Sequence, residues 1–298
     1  MDAHLGEIAA LLTACFWTIT ATSFEKAGKL IGSLAVNWIR LFLGMVFLSI
    51  FTWITRGQFL PLDANMHAWV WLGVSGLIGF VIGDVLLFQA FVQIGSRISM
   101  LIMAMVPPIT TLISWLLMGE TLTLKDFLGM GLVVGGIALV VLERPAGEKN
   151  FKFSHPISGI LFALGGAVGQ AVGLVFSKYG MGDYNAFAAT QIRIIAGLVG
   201  MSLLYFPIKA WGKVALGLKN RKGLLFTTNG AFWGPFLGVS FSLLAVQHAL
   251  AGVASTIMSI VPVLIIPPAV IFFKEKVTAK EVMGAVIAVV GVGLLFIS

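Results

Sequence analysis

Residues 102–143 read IMAMVPPITTLISWLLMGETLTLKDFLGMGLVVGGIALVVLE, and residues 257–298 read IMSIVPVLIIPPAVIFFKEKVTAKEVMGAVIAVVGVGLLFIS. Aligned without a gap, the two stretches are identical at eleven of 42 positions, and most other positions exchange one apolar residue for another. Each copy predicts an apolar helix that contains proline, a short charged turn and a second apolar helix with glycines. The chain therefore contains a duplicated helical hairpin that is too hydrophobic for a water-soluble domain.

The composition of the whole chain indicates an integral membrane protein. Of its 298 residues, 59% are hydrophobic and 10% are charged, and the mean hydropathy is +1.03. Soluble domains carry about 25% charged residues. Apolar runs of about 20 residues recur, and each is long enough to cross a hydrocarbon core of about 30 Å as a helix. The N-terminal residues lack the basic segment of a signal peptide, so we expect the first span to be retained.

We predict an all-α integral membrane protein with ten transmembrane helices built from two inverted five-helix repeats. The spans have the approximate bounds 7–24, 33–54, 68–91, 97–118, 126–142, 157–177, 186–207, 225–246, 252–273 and 280–297. The domain boundaries that follow are residues 1–142 for the first repeat, 143–155 for a linker and 156–298 for the second repeat. Because five is odd, the second half must enter the bilayer from the opposite side. The halves are then related by a pseudo-two-fold axis in the membrane plane, as in many secondary transporters.

The duplication extends through all five predicted spans of each half. The matched features, given as first half and second half, are Arg40 and Arg193, Gly79 and Gly234, Gly83 and Gly238, Pro107 and Pro262, the turns at Glu120 and Glu275, and the glycine pairs Gly129/Gly136 and Gly284/Gly291. On these features the chain resembles the drug/metabolite transporter superfamily, in its ten-span EamA-like branch. The resemblance covers nearly the whole chain, and it indicates the family more specifically than it indicates a substrate.

The resemblance implies a secondary transporter that moves small metabolites by alternating access between inverted repeats. It favours amino acids or related compounds as substrates and export as the direction. A proton-coupled multidrug antiporter remains an alternative. The small multidrug members of the superfamily carry a glutamate in the middle of span one, however, where this chain has Trp17 between Glu7 and Glu25. A non-transporting receptor or scaffold is a further alternative, which the short loops disfavour.

Asp84 lies roughly two turns inside the end of predicted span three. Because a carboxylate inside the bilayer is costly, it should face a cavity or a partner. It is our candidate for substrate binding and for proton coupling, and the alternative is a structural ion pair with Arg40 or Arg97. Val239 occupies the matching position of the second half. That asymmetry favours a functional role.

Arg40 and Arg193 occupy matched sites about a third of the way into spans two and seven. As functional groups, the two guanidinium groups could hold an anionic substrate through paired hydrogen bonds. As structural groups, they could extend toward lipid headgroups or fix a neighbouring helix end. Because both halves share the residue, the sequence favours the structural role.

The resemblance implies that spans one, three, four, six, eight and nine surround a central cavity. Candidate lining residues in these spans are Trp17, Thr18, Asp84, Gln89, Met103, Gln170, Asn229, Trp233, Ser255 and Ser259. Each of these side chains alone could instead form an interhelical hydrogen bond or anchor at the membrane interface. Pro107 and Pro262 should kink spans four and nine, because proline removes a backbone donor from the helix.

The sequence carries no motif of a known enzyme class, so we predict no catalytic activity. The single cysteine, Cys15, excludes an internal disulfide framework, and the four histidines are too scattered for a metal site. We expect no cofactor and no nucleic-acid partner. The expected partners are a small-molecule substrate, membrane lipids and, as a candidate coupling ion, protons. We also expect a monomer, since a duplicated chain contains both halves of its own pseudo-dimer, in the cell membrane of a bacterium or archaeon.

The loop charges leave the orientation of the chain open. Most Lys and Arg residues fall in loops that follow odd-numbered spans, whereas the other loops carry only Arg56, Lys125 and Lys178. The positive-inside rule then places both termini outside the cytoplasm. The family resemblance implies termini in the cytoplasm.

Overall fold

The computed structural model describes residues 5–118, 124–143, 152–153, 155–248, 254, 257–274 and 277–296. These residues form an almost wholly helical fold. Its α-helices are α1 (Leu5–Ile31), α2 (Ser33–Arg56), α3 (Met66–Gly76), α4 (Asp84–Ile102), α5 (Val106–Met118), α6 (Leu124–Val141), α7 (Ile157–Met181), α8 (Ala186–Tyr205), α9 (Trp211–Lys219), α10 (Arg221–Ala231), α11 (Val239–His248), α12 (Val261–Leu264), α13 (Ile266–Phe273) and α14 (Ala279–Phe296).

Shorter elements join some of these helices. Two π-helices, π1 (Leu77–Gly83) and π2 (Phe232–Gly238), continue α3 into α4 and α10 into α11. A 3-10 turn at Met103–Met105 joins α4 to α5. Two short antiparallel strands, β1 (Leu142–Glu143) and β2 (Lys152–Phe153), pair at the predicted linker.

Six helical stretches are long and apolar enough to cross a membrane: Leu5–Ile31, Ser33–Arg56, Met66–Thr110, Ile157–Met181, Ala186–Tyr205 and Arg221–His248. The stretch Met66–Thr110 has 45 residues, which at the rise of an α-helix is about 65 Å and roughly twice the thickness of a hydrocarbon core. It is interrupted at Gly95, whose φ of 78° is readily adopted only by glycine. The chain can therefore turn at Gly95 between two shorter helical segments.

Asparagine side chains fix the start of several helices. The Asn65 side chain accepts a hydrogen bond from Ala68 N at 2.8 Å, and the Asn220 side chain accepts one from Gly223 N at 2.9 Å. Such N-caps satisfy backbone donors that the helix itself leaves free. Asn65 and Asn220 occupy matching positions of the two halves, so helices α3 and α10 begin in the same way.

The two π-helices also lie at matching positions, since residues 77–83 and 232–238 are separated by the same offset as the repeats. In π2, Pro235 cannot donate a backbone hydrogen bond, and the wider π-helical turn accommodates that loss. π-helical turns are frequent at functional sites. Here π1 ends immediately before Asp84 and therefore sets the position of that side chain.

Glycines bring backbones of the two halves into direct contact. A Cβ atom on Gly136 of α6 would lie 2.6 Å from the carbonyl oxygen of Gly284 in α14. Reciprocally, a Cβ atom on Gly291 would lie 2.8 Å from the carbonyl oxygen of Gly129. These contacts between α6 and α14 form a glycine seam. It consists of Gly129 and Gly136 from the first half and Gly284 and Gly291 from the second half. Small residues at such crossings permit close packing of membrane helices.

Large apolar side chains cover the outside of the helical bundle. Exposed examples on four different helices are Ile54, Leu161, Leu203 and Leu225. A surface of this kind would be an aggregation liability in water, but it suits contact with lipid.

Residues 209–222, between predicted spans seven and eight, include helix α9. The helix exposes Leu216 and Leu218 beside Lys213 and Lys219. Helix α9 is therefore amphipathic. Its exposed leucines can enter the boundary between lipid headgroups and acyl chains, while its lysines remain at the level of the headgroups.

Candidate functional site

A cavity of about 190 Å³ lies between the two halves of the chain. Its wall is formed by α1, α2, π1, α4 and α5 of the first half and by α7, α8, π2, α11 and α12 of the second half. The lining is mainly apolar and rich in aromatic side chains, namely Trp17, Phe24, Phe80, Phe88 and Phe91. Pockets of this type, with a few polar groups among apolar walls, are typical of small-molecule sites.

Asp84 is held by two side chains on other helices. Its Oδ2 atom accepts a charged hydrogen bond from Arg40 Nη2, and its Oδ1 atom accepts one from Gln170 Nε2 at 2.6 Å. Arg40 also donates from Nε to Asn37 Oδ1 at 2.9 Å. Asp84 and Arg40 are only 5% and 3% exposed. The first half of the cavity wall therefore contains a buried ion pair whose hydrogen bonds join α2, α4 and α7.

Aromatic rings surround the Arg40 guanidinium. Its Cζ atom lies 4.6 Å from the centroid of the Phe88 ring and 5.6 Å from that of Phe80. A guanidinium at this distance is attracted by the negative face of a ring, and the attraction grows when water is excluded. The rings thus stabilise the charge of Arg40 while keeping the cavity wall apolar.

Arg193, on α8, also lines the cavity, and its environment differs from that of Arg40. Its side chain is buried, with a residue exposure of 4%, and its Cζ atom lies 4.8 Å from the Phe80 ring centroid. Within the described residues, its Nε atom has no hydrogen-bond partner. The two matched arginines therefore share one aromatic neighbour but differ in their polar partners.

Two threonine hydroxyls of the cavity wall share this property. Thr20 Oγ1 and Thr110 Oγ1 are buried and have no hydrogen-bond partner among the described residues. Buried polar groups of native proteins are normally satisfied by protein, water or ligand. Thr20 Oγ1, Thr110 Oγ1 and Arg193 Nε are thus three buried polar atoms of cavity-lining residues that have no hydrogen-bond partner among the described residues.

Polar contacts join the helix ends on one face of the bundle. The Glu25 side chain is fully buried, and it accepts hydrogen bonds from Ser96 N at 2.7 Å and from Lys29 Nζ at 2.5 Å. Arg97 pairs with Glu281 at 2.8 Å. Glu25 therefore caps the helical segment that resumes after Gly95, and Arg97 connects that segment to α14.

A second cluster joins the loops on another face. Tyr184 donates its hydroxyl to Asp63 Oδ1 at 2.7 Å, and Arg56 pairs with Asp63 Oδ2 at 2.6 Å. Burial raises the pKa of Tyr184 to about 12, and its hydrogen bond to Asp63 adds to this shift. Partial burial would raise the pKa of Asp63, but hydrogen bonds from Tyr184 and the backbone, with the charge of Arg56, outweigh burial and lower it. The interactions of ionised Asp63 with Tyr184, the backbone and Arg56 stabilise the folded protein. This stabilisation is fully present above the ordinary aspartate pKa, and it is lost as the pH falls through the lowered pKa of Asp63.

The model of the EamA-like transporter family matches residues 4–142 and 157–297. This chain belongs to the EamA-like transporter family. It is accordingly a multi-pass membrane protein of the drug/metabolite transporter superfamily, in agreement with the predicted resemblance. No curated protein matches the sequence significantly.

Solved structures support the fold of this EamA-like chain. One solved structure, a crystal structure of a protein, matches this chain with a TM-score of 0.60 and 18% sequence identity. The match covers 98% of this chain and 95% of the chain in that structure. At that identity, the match bears on the fold alone.

The structure brings many of the predicted site residues of this EamA-like transporter to one cavity. Those that line it are Trp17, Arg40, Asp84, Met103, Pro107, Gln170, Arg193, Ser259 and Pro262. They come from both halves, although they are far apart in the sequence. The asymmetric cluster of Asp84, Arg40 and Gln170 is the most polar part of the lining.

Four other predicted lining residues are not part of the cavity wall. Thr18 donates to the Ala14 carbonyl within its own helix at 2.9 Å. Gln89 accepts a hydrogen bond from Ser33 at 2.7 Å, and Asn229 donates to Ser23 at 2.8 Å. Trp233 packs against the rings of Phe16 and Phe232. Gln89, Asn229 and Trp233 thus join neighbouring helices, which is the alternative that the sequence left open, whereas Thr18 bonds within its own helix. Ser255, Glu120 and Glu275 lie outside the described residues.

The two predicted proline kinks coincide with interruptions of helical geometry. The 3-10 turn Met103–Met105 comes directly before α5, which has Pro107 as its second residue. In the second half, α12 is only four residues long and has Pro262 in its first turn. Both prolines line the cavity. The helix breaks therefore lie beside the candidate binding site.

Sequence patterns did not indicate the aromatic rings around Arg40 or the unpartnered hydroxyls of Thr20 and Thr110. Phe88 lies four residues after Asp84, a spacing that puts both side chains on one face of α4. This spacing was the available signal for Phe88. Nothing in the local sequence distinguishes Thr20 and Thr110 from threonines that bond to their own helix.

Proposed function

We propose that this EamA-like chain is a secondary transporter that moves small metabolites by alternating access. The observation that carries the proposal is the cavity between the two halves, with buried charged groups in its wall. Amino acids or related compounds remain the proposed substrates, and export the proposed direction, on family grounds. The proposed location is the cell membrane of a bacterium or archaeon, with the chain acting as a monomer.

We further propose ten spans, with the domain boundaries at residues 142 and 156. Contacts between loops support this number. Asp63 follows span two and Tyr184 follows span six, and these side chains are hydrogen-bonded. Glu25 ends span one and Ser96 follows span three, and these are also hydrogen-bonded. Each contact joins two loops that a ten-span chain puts on the same side of the bilayer. Five spans per half would then make the repeats inverted.

Cysteine labelling tests this topology in a Cys15→Ser background. Single cysteines at Asp63 and Asp183 should react with an impermeant maleimide from one side of the membrane, and a single cysteine at Lys213 from the other. Because basic segments favour the cytoplasm, we expect the Lys213 position to be the cytoplasmic one. Labelling of all three positions from the same side would contradict the ten-span arrangement. Labelling of the cysteine at position 213 from outside the cell would contradict the expected orientation but not the ten-span arrangement.

Transport is tested in proteoliposomes that contain a mixed metabolite pool, with and without an imposed pH gradient. We expect gradient-driven accumulation by the wild type and its loss in Asp84→Asn, because protonation of Asp84 would release Arg40 and link the proton to the cavity. Asp63→Asn is the matched control, since this carboxylate lies outside the cavity, and it should retain accumulation.

Three outcomes have different meanings. Uptake that ignores both the gradient and Asp84→Asn would contradict proton coupling but retain transport as a uniporter or exchanger. No uptake of any pool component, in protein that remains folded, would contradict the transporter proposal. It would favour a receptor or scaffold.

A further inference from the structure

We infer that Arg193 binds the carboxylate of the transported solute, an inference that rests on the proposed transport function. The starting point is a difference between two residues that the duplication made equivalent. Arg40 and Arg193 occupy matching helix positions, yet Arg40 has two side-chain acceptors, whereas Arg193 Nε has none within the described part of the protein.

Both acceptors of Arg40 are replaced in the second half. Val239 stands at the position matching Asp84, and Thr190 at the position matching Asn37. Valine offers no acceptor, and the Thr190 hydroxyl donates to the Ala186 carbonyl at 2.8 Å. The second half therefore lacks equivalents of both side chains that hold Arg40. A guanidinium that is buried without an acceptor is costly, so a ligand that supplies one is strongly favoured.

The net charge of the side chains that line the cavity also favours a carboxylate ligand. Among the described residues that line it, the ionisable ones are Arg40, Asp84 and Arg193. Asp84 is hydrogen-bonded to Arg40, and it attracts Arg193 only through space. Two cations and one anion leave an excess of one positive charge in a mainly apolar site. A single carboxylate balances that charge, and a cationic solute would increase the imbalance.

The other residues that line the cavity indicate the size and polarity of the rest of the solute. The aromatic rings of Trp17, Phe24 and Phe88 provide apolar contact for the solute. The cavity of about 190 Å³ limits the solute to a compact molecule. The inferred ligand class is thus a small monocarboxylate with an apolar body.

The test uses the purified full-length chain in detergent and isothermal titration calorimetry. The probes are monocarboxylates from acetate to phenylacetate, with phenylacetamide and phenethylamine as the neutral and cationic relatives of the last. We expect at least one carboxylate to bind and the amide and amine not to bind measurably. Arg193→Gln should weaken carboxylate binding by about 10- to 100-fold, which is the range for loss of hydrogen bonds to a charged group.

A second variant tests the inference with Arg193 still present. Val239→Asp restores the carboxylate that the second half lacks, and it should pair with Arg193 and weaken carboxylate binding to a similar extent. Gln89→Met is the control, since Gln89 is not part of the cavity wall, and it should bind as the wild type does. Circular dichroism and size-exclusion profiles identify a variant that has failed to fold.

The inference is overturned if no carboxylate of the series binds, if the amide or amine binds as well, or if Val239→Asp binds carboxylates with wild-type affinity. Its failure is distinguishable from that of the proposed function. Transport of other solutes without carboxylate binding would leave the function standing. Carboxylate binding sensitive to Arg193, without any transport in proteoliposomes, would overturn the function and retain the site.

Discussion

Replacement of Asp84 by alanine is expected to reduce the free energy of unfolding by about 3–5 kcal/mol, the cost of removing one partner from a buried ion pair. The substitution leaves the Arg40 guanidinium without its carboxylate in a site that is almost fully buried. It also leaves the Gln170 amide without its acceptor at 2.6 Å. The rings around Arg40 attract its charge, but they cannot accept the hydrogen bond that Asp84 does.

Unfolding in detergent, followed by circular dichroism, measures this effect through a double-mutant cycle. Arg40→Met alone should also destabilise, because Asp84 then lies buried without its cation. In the double variant Asp84→Ala/Arg40→Met, the free energy of unfolding should fall by much less than the sum of the two single decreases, because no unpaired charge remains buried. The control is Asp63→Ala, which removes a carboxylate paired with Arg56 at a partly exposed position and should cost at most about 1 kcal/mol. Additive single effects would show that Asp84 and Arg40 are not energetically coupled.

Gly76→Ala is expected to have the second large effect, on stability and on carboxylate binding together. A Cβ atom at Gly76 would lie 2.2 Å from the carbonyl oxygen of Arg193 and 2.9 Å from its Cα atom. These are backbone atoms, so α3 and α8 must separate to admit the methyl group. Overpacking of this kind typically costs about 1–3 kcal/mol. Because the displaced residue is Arg193 itself, the affinity for carboxylates should fall as well.

Gly73→Ala provides the matched control one turn earlier on α3. A Cβ atom there would lie 4.0 Å from the Cβ atom of Ala196, an ordinary contact. This variant should be as stable as the wild type, or more stable by up to about 1 kcal/mol from helix propensity. The measurements are thermal unfolding and calorimetric titration with the carboxylate that the wild type binds. Equal behaviour of the Gly73 and Gly76 variants would contradict the close approach of α3 to Arg193.

The sequence alone was sufficient to predict the family, because the family depends on patterns that recur along the chain. Apolar runs predicted the long helices. The pairs Gly129/Gly136 and Gly284/Gly291 were recognisable as matched features, but their contact across α6 and α14 was not. The two π-helices were not predicted. They depend on how a helix accommodates Pro235 and its neighbours, and helix propensity does not encode this.

The environment of the matched arginines could be predicted only in part. Their equivalence is visible in the sequence, and it favoured a shared structural role. The difference between them depends on Asn37 and Asp84 reaching Arg40, while Thr190 turns its hydroxyl to its own helix. Such contacts are decided by helix crossings between residues far apart in the chain. For the same reason, Thr18, Gln89 and Asn229 could not be separated from Gln170 before the structure.

The glycine seam between α6 and α14 has a consequence for how the protein is made. The carbonyl oxygens of Gly129 and Gly284 and the backbone around Gly136 and Gly291 are packed only when both helices are present. During synthesis, α6 enters the bilayer long before α14 leaves the ribosome. Its glycine face must therefore contact lipid, a chaperone or an insertase until α14 has been translated. The first half reaches its final packing only when α14 has entered the bilayer.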